Sequence, residues 1–268
     1  MINSFIPNAA RYASLLAALL LAQGPASAGC NTPPGPVYRH SHNDYTRKHP
    51  LLDAMMHDFD SVEADIYLKD GQLLVCHDSG DCHKNKTLEG MYLLPLFSMY
   101  QAGKGLVRPN HKQLTLLVEF KSDPDKTYQA VLPLLQRYKA MLTAITGGKV
   151  RNGAVRVVIT GHVPRKLIKA AEPKLMAIDG EADDLGSGES VSLVPWISID
   201  WDKRGKSIED LACRARQQHR LLRFWGGPDN SWQWGEECKD GVDIINTDHL
   251  TKLNRFMPRC RALRDQKK

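Results

Sequence analysis

The feature that most limits what this chain can fold into is a rhythm that begins at residue 37: short apolar runs alternate with amphipathic stretches to the end. Val37–His42, Ser61–Leu68, Leu73–His77, Leu114–Phe120, Val155–Thr160, Leu175–Ile178, Val194–Asp200, Leu221–Trp225 and Val242–Asn246 read as strands, rich in β-branched and other apolar residues. Pro50–His57, Lys126–Leu142, Arg165–Ala171, Ile208–His219 and His249–Arg264 read as helices. Asp123-Pro124-Asp125 supplies a cap and an early proline for the second of these. Lys69-Asp70-Gly71 reads as the turn of a hairpin. Strands alternating with helices about eight times predict a closed (β/α)8 TIM barrel, with an open doubly wound sheet as the competing α/β architecture. No repeat, low-complexity tract or internal linker divides the body, so residues 37–264 are assigned to one barrel domain.

The N-terminus reads differently. Arg11 precedes the apolar run Leu15 to Ala22, and the small residues Pro25-Ala26-Ser27-Ala28 follow. A positive start, a short apolar core and an A-x-A site predict a secretory signal peptide over residues 1–28. The Pro-rich stretch to residue 36 then reads as a linker. The expected location is therefore exported, periplasmic or secreted. Cys30 just after the predicted cleavage point offers a lipoprotein alternative, ranked second because Ser27 stands where a lipid-attachment motif has Leu. Six cysteines in an oxidising compartment predict disulfides, with Cys76 and Cys82 close enough to clip a short loop. No CxxC pair is present, which argues against a structural zinc site. A net charge of +6 without basic runs interleaved with aromatics argues against nucleic-acid binding.

Polar residues gather at or near the C-terminal ends of the first strands, the end of a barrel where chemistry is done. Glu63 and Asp65 lie two apart on one strand, so their carboxylates share a face. Two such groups repel unless a cation lies between them, and oxygen ligands select a hard ion, Mg²⁺ or Ca²⁺. Glu119 ends an otherwise apolar strand, where an unpaired carboxylate is costly, and is expected as the third ligand. Lys121, on the same side, would hold a phosphate oxygen or neutralise Glu119.

Taken in order, His42, Glu63-Ala64-Asp65, Asp70-Gly71, His77-Asp78 and Glu119-Phe120-Lys121 resemble the phosphatidylinositol-phospholipase-C-like phosphodiesterase superfamily. That group includes glycerophosphodiester phosphodiesterases and spider-venom sphingomyelinases D. Gly241 to Asp248 is similar to the superfamily's last strand and turn. His42-Asn43-Asp44-Tyr45 replaces the His-Arg-Gly of glycerophosphodiesterases, which marks a divergent branch. The resemblance implies a TIM barrel, one divalent cation, and a small phosphodiester or phospholipid-headgroup substrate. It implies His42 and His77 as the acid–base pair, with His42 assigned as base and His77 as acid, an order the sequence leaves open. The alternatives are a phospholipase-D-like lyase that leaves a cyclic phosphate, and a barrel that binds a headgroup without turnover.

The remaining polar and aromatic residues read less sharply. Asn43 is a candidate substrate or metal contact, with a turn role equally compatible. Trp201 and Trp225 both lie near strand ends, where each reads first as packing and second as the wall of a headgroup pocket, and Trp225 is carried as the substrate-contact candidate. Trp232 and Trp234 are read as members of an exposed loop that meets substrate or membrane. His40 divides evenly between a supporting role and an ordinary one. A monomer is the expected state, with peripheral membrane contact as a secondary alternative.

Overall fold

A computed structural model describes residue 30 and residues 32–110, 112–205 and 207–266. The elements follow in chain order as β1 (Tyr38–Ser41), α1 (Leu52–Met56), β2 (Ser61–Lys69), β3 (Gln72–Val75), α2 (Leu94–Ala102), β4 (Leu114–Phe120), α3 (Pro124–Arg137), β5 (Ala144–Thr146) and β6 (Lys149–Arg151). After these come β7 (Val155–Gly161), α4 (Arg165–Ala170), β8 (Ala177–Gly180), β9 (Trp196–Asp200), α5 (Ile208–Gln217), β10 (Leu221–Trp225), α6 (Ser231–Asp240), β11 (Ile244–Thr247) and α7 (Leu250–Asp265).

Period-two alternation explains why these strands close into a barrel. On β2, Val62, Ala64 and Ile66 join the large apolar core under the helices, whereas Ser61, Glu63 and Asp65 are buried on the other face. A separate small apolar cluster, Leu117, Val158, Ala177, Trp196 and Ile244, draws one residue from each of five strands and fills the interior. The pairing runs β1-β2-β4-β7-β8-β9-β10-β11, and β11 pairs back to β1 in parallel register, Tyr38 opposite Ile244. All eight of these strands are parallel, the TIM-barrel topology. Closure removes the edges of this sheet except that of β3, which folds back antiparallel on β2 across Asp70-Gly71, and β5 and β6 form a separate antiparallel hairpin. Both turn residues have positive φ, 48° and 75°, as a two-residue hairpin turn requires.

Each fully buried large apolar side chain, such as Phe59, Phe120 and Phe224, contributes about 2 kcal/mol through area removed from water. Asp123 caps α3 by accepting from the Lys126 amide at 2.9 Å, with Pro124 in the first turn. Between β8 and β9 only a single 3-10 turn stands where a helix would be, so that side of the barrel is thinly covered.

Disulfides Cys76–Cys82 and Cys238–Cys260 are formed, the second joining α6 to α7. Cys30 is disulfide-bonded as well. A sulfur in a disulfide cannot also carry a thioether-linked lipid, so the lipoprotein alternative at Cys30 is corrected. The signal-peptide reading of residues 1–28 lies outside the described residues, and residues 33–37 form no regular element.

Two further readings are corrected. Trp232 and Trp234 are not on a loop: both belong to α6, because Asn230 accepts from the amides of Trp232 and Gln233 and starts a helix directly after the Gly226-Gly227-Pro228 turn. Trp234 is buried in the core, and only Trp232 stays exposed.

Candidate active site

The carboxyl ends of the strands surround a cleft of about 870 Å³ lined by His42, Glu63, Asp65, His77, Glu119 and Lys121, with Asn43 and Trp225 also in its wall. Every sequence-predicted site residue therefore faces one space. Strand register accounts for the acids. Asp65 and Glu119 are direct cross-strand partners on β2 and β4, and Glu63 lies one inward step below Asp65. One oxygen from each of Glu63, Asp65 and Glu119 lies within 4.8 Å of the others. Gly161 at the end of β7 makes room for this: its φ is +71°, and a Cβ there would stand 2.7 Å from Glu119 Cγ.

The three acids are held unequally. Glu63 Oε2 is 3.1 Å from His40 Nε2 and 3.4 Å from Arg223 Nη2. Burial alone would raise its pKa, but the Arg223 charge and the His40 hydrogen bond outweigh it and bring the carboxyl to about 2. His40 is itself driven down to about 4, first by burial and then by Arg223. It is therefore neutral: Nε2–H donates to Glu63, and Nδ1 accepts from the Ser61 hydroxyl at 2.8 Å.

Asp65 has the opposite fate. Burial and the charges of Glu63 and Glu119 raise its carboxyl to about 7. Its Oδ2 lies 2.9 Å from the Tyr45 hydroxyl and 3.4 Å from Lys121 Nζ, while Oδ1 is buried with no hydrogen-bond partner. Lys121 Nζ is also 3.3 Å from Glu119, so one ammonium faces two carboxylates with a third behind them. A buried oxygen without a donor, in a trio of hard oxygen ligands, fits a divalent cation with water completing its coordination. Glu63, Asp65 and Glu119 would hold it.

His42 sits at the end of β1, 3.9 Å through Nε2 from Glu63 and 3.0 Å through Nδ1 from Asp248. Burial lowers its basicity, but the Asp248 hydrogen bond and the Glu63 charge prevail, and its pKa is raised. Asp248 is correspondingly lowered against the effect of its own burial. Asn43 lies 3.0 Å from the same Nδ1 and 2.8 Å from the Tyr45 hydroxyl. With the Asn43 amide turned so that its NH2 donates to Tyr45, every donor finds an acceptor: Tyr45 gives its proton to Asp65, and His42 Nδ1–H faces two oxygens. The loop carrying these residues is anchored by Asp44, whose buried carboxylate accepts from Ser41, from the Leu51 amide and from Tyr92.

His77, on the loop after β3, is exposed and pairs through Nδ1 with Asp78 at 3.1 Å. Trp225 ends β10 and is 43% exposed in the cleft wall, whereas Trp201 is buried in the core, edge-on to Phe224 and Trp232. Sequence reasoning did not assign Arg223, Asp179 or His162 to this cleft, nor Asp248 to His42. Arg223 reaches Glu63, Asp179 at 3.6 Å and Asn246 at 3.1 Å from β10, across the barrel interior. Only the inward parity of Arg223 within an apolar strand hinted at that role.

The fold is shared with solved enzymes of low sequence identity. The calcium-dependent phosphoinositol-specific phospholipase C of a Pseudomonas species superposes with a TM-score of 0.56 at 17% identity, over 84% of this chain and 93% of that one. The Ca²⁺-dependent phosphatidylinositol-specific phospholipase C of Streptomyces antibioticus gives 0.54 at 12% identity, over 81% and 96%. In sequence, altered inheritance of mitochondria protein 6 of Candida glabrata is 31% identical over 294 residues, 82% of this chain and 71% of that protein. Its Kluyveromyces lactis counterpart is 24% identical over 298 residues, 81% and 71%. The model of the AIM6-like phosphodiesterase domain matches residues 33–176, which span β1 to the approach to β8 and hold His42, His77 and all three acids. The chain belongs to the family of AIM6-like phosphodiesterase domains.

Proposed function

We propose that this chain is a divalent-cation-dependent phosphoric diester hydrolase acting on a small glycerophosphodiester or a phospholipid headgroup. The observation that carries the reading is the convergence of Glu63, Asp65 and Glu119 beside an imidazole whose far nitrogen is held by Asp248. Bound to the three acids, Mg²⁺ or Ca²⁺ would supply a positive charge to oppose that developing on the phosphoryl oxygens. Lys121 is placed to meet one of those oxygens once its own acids are engaged.

With Nδ1–H committed to Asp248, Nε2 of His42 is the lone-pair nitrogen and takes the proton from the attacking hydroxyl or water. Asp248 then stabilises the imidazolium. His77 gives a proton to the leaving oxygen, with Asp78 holding its other nitrogen. Arg223 and His40 keep Glu63 ionised and in place and do not touch the diester. Trp225 offers an aromatic wall for the alcohol or headgroup. Disulfides throughout the described cysteines suit an oxidising compartment, and we place the protein outside the cytoplasm on that ground.

The test is a panel of glycerophosphodiesters and phospholipids assayed with Mg²⁺, with Ca²⁺ and with chelator, product phosphate being examined for a ring. Cation-dependent cleavage lost in a folded His42→Ala variant supports the proposal. A cyclic product assigns the lyase outcome instead. Headgroup binding without cleavage of any diester would leave a binding barrel.

A further inference from the structure

A second cavity, of about 920 Å³, opens at the opposite, amino-terminal end of the barrel. Its floor is the lowest inward-facing ring of the strands: Tyr38, Thr115, Arg156, Trp196, Leu221 and Ile244. Five of these make an apolar or hydroxyl-bearing surface around one guanidinium. Arg156 points inward because it shares the parity of Val158, which belongs to the interior cluster.

Arg156 has no counter-charge. Among the described residues no carboxylate lies within ion-pair reach of it, and its Nε is shut from solvent without a hydrogen-bond partner. Burial alone lowers its pKa, with no charged neighbour contributing. The contrast with Arg223, one layer up, is direct: that guanidinium is matched by Glu63 and Asp179. The two acids of the rim are already engaged. Asp58 pairs with Arg39 at 3.0 Å and with Arg108, and Asp60 accepts from the Arg39 amide at 2.9 Å. The cavity wall therefore carries four cations, Arg39, Lys112, Arg156 and Arg261, against two acids, and Arg156 and Arg261 have no ion-pair partner among the described residues. Arg156 is half-buried: its Nε is sealed without a partner while the rest of its guanidinium faces the cavity, so an anion entering there would meet a cation that no carboxylate neutralises.

We propose that this cavity is a binding site for a small amphiphilic anion, its anionic head on Arg156 and its apolar tail against Trp196, Leu221 and Ile244. The volume is within the range that encloses a small ligand. Arg261 at the rim adds attraction for the head on entry.

The experiment is calorimetric titration of the protein with octyl phosphate below its micelle concentration, in chelator so that no cation recruits phosphate to the acid cluster. Octanol and inorganic phosphate are the control ligands. One-to-one binding of octyl phosphate is expected, at least tenfold tighter than inorganic phosphate, with none for octanol. Arg156→Gln weakens it at least tenfold. Thr115→Asp sets a carboxylate on the register partner of Arg156. That variant loses binding to a similar degree while its melting temperature stays at or above that of the parent, which keeps the test valid if Arg156→Gln does not fold. Absence of binding, equal binding of inorganic phosphate, or binding that survives both substitutions overturns the proposal. Loss of binding in Asp65→Asn overturns it too, by placing the ligand in the other cleft.

Discussion

Cation binding should be strongly pH-dependent, because Asp65 must lose a proton to become a ligand. Its carboxyl is raised to about 7 by burial and by Glu63 and Glu119, whereas Glu63 is held at about 2 by Arg223 and His40. Below pH 7 a cation therefore competes with one proton, and its affinity falls about tenfold for each pH unit. Between pH 8 and pH 5 the loss is about a hundredfold, or ~3 kcal/mol, with a plateau above pH 7. The folding consequence has the opposite sense. A carboxyl whose folded pKa exceeds its unfolded value contributes most below the unfolded pKa, and that contribution is lost as pH rises through about 7. Asp65→Asn keeps the shape and removes the charge. Without cation it should be more stable than the parent at pH 8, by up to ~4 kcal/mol, and about equal to it near pH 4. The same variant should bind Mg²⁺ or Ca²⁺ at least tenfold more weakly. Calorimetry at pH 5, 6, 7 and 8, in two buffers of different ionisation enthalpy, counts the released proton, and thermal melts of both proteins give the stability arm. Cation affinity that is flat across this range, or unchanged in Asp65→Asn, would refute the account of the acid cluster.

Asp248→Asn should lower kcat/KM by about 10²–10⁴ and move the acidic limb of the pH–rate profile to lower pH, since the carboxylate that helps raise the His42 pKa is gone. Pre-steady-state and steady-state assays across pH 5–9 check both effects. Gly161→Ala should lower the melting temperature, because the new Cβ would stand 2.7 Å from the Phe120 carbonyl oxygen at a residue with φ +71°, and should also weaken cation binding. The new Cβ would displace Glu119, which it would approach within 2.7 Å. Glu237 is buried in α6 with one oxygen unpartnered, and burial pushes its carboxyl up to about 8. Its stability contribution is present below pH 4.5 and lost as pH rises through about 8, so Glu237→Gln should raise the melting temperature at pH 8–9 and leave it unchanged at pH 4.

The elements legible in sequence were those whose pattern has one explanation. Leu114–Phe120 and Leu221–Trp225 begin and end where the apolar runs do. The apolar run Leu175–Ile178 starts two residues ahead of β8, because Leu175 and Met176 are buried against the outer core before the strand begins. α2 gave no signal: Leu94-Pro95-Leu96-Phe97 is apolar without helical periodicity, and a π-helical turn over Glu89–Leu93 leads into it. α6 was hidden by the glycines and proline before its Asn230 cap. The site divides in the same way. Glu63, Asp65, Glu119 and Lys121 follow from parity along a strand, a local property. Arg223 meets Glu63 from 160 residues away, and Asp248 meets His42 from 206, so both depend on how the barrel closes. His40 was undecided because parity places it inward without saying whether it meets a carboxylate or a ring. It meets both, Glu63 through Nε2 and the edge of Trp196 at 6.0 Å between centroids.

That arrangement explains how two carboxylates of one Glu-x-Asp pair come to differ. Glu63 lies in the middle layer of the barrel, where Arg223 reaches it and water does not, so it is an anion at every working pH. Asp65 lies one step toward the mouth, where Tyr45 and Lys121 compensate only one of its oxygens. A site in which all acids were fully paired within the protein would bind a cation weakly, because ligation would first have to break those pairs. A site in which none was paired would hold its acids apart by repulsion. Splitting the roles leaves one ligand pre-ionised and positioned and one whose free oxygen gains a partner only on ligation. Arg223→Gln separates these roles. It should raise the pKa of Glu63 and make cation binding depend on a second proton near neutral pH, doubling the slope of log affinity against pH, while Arg223→Lys should largely restore the single-proton slope. An unchanged slope in Arg223→Gln would mean that His40 alone keeps Glu63 ionised.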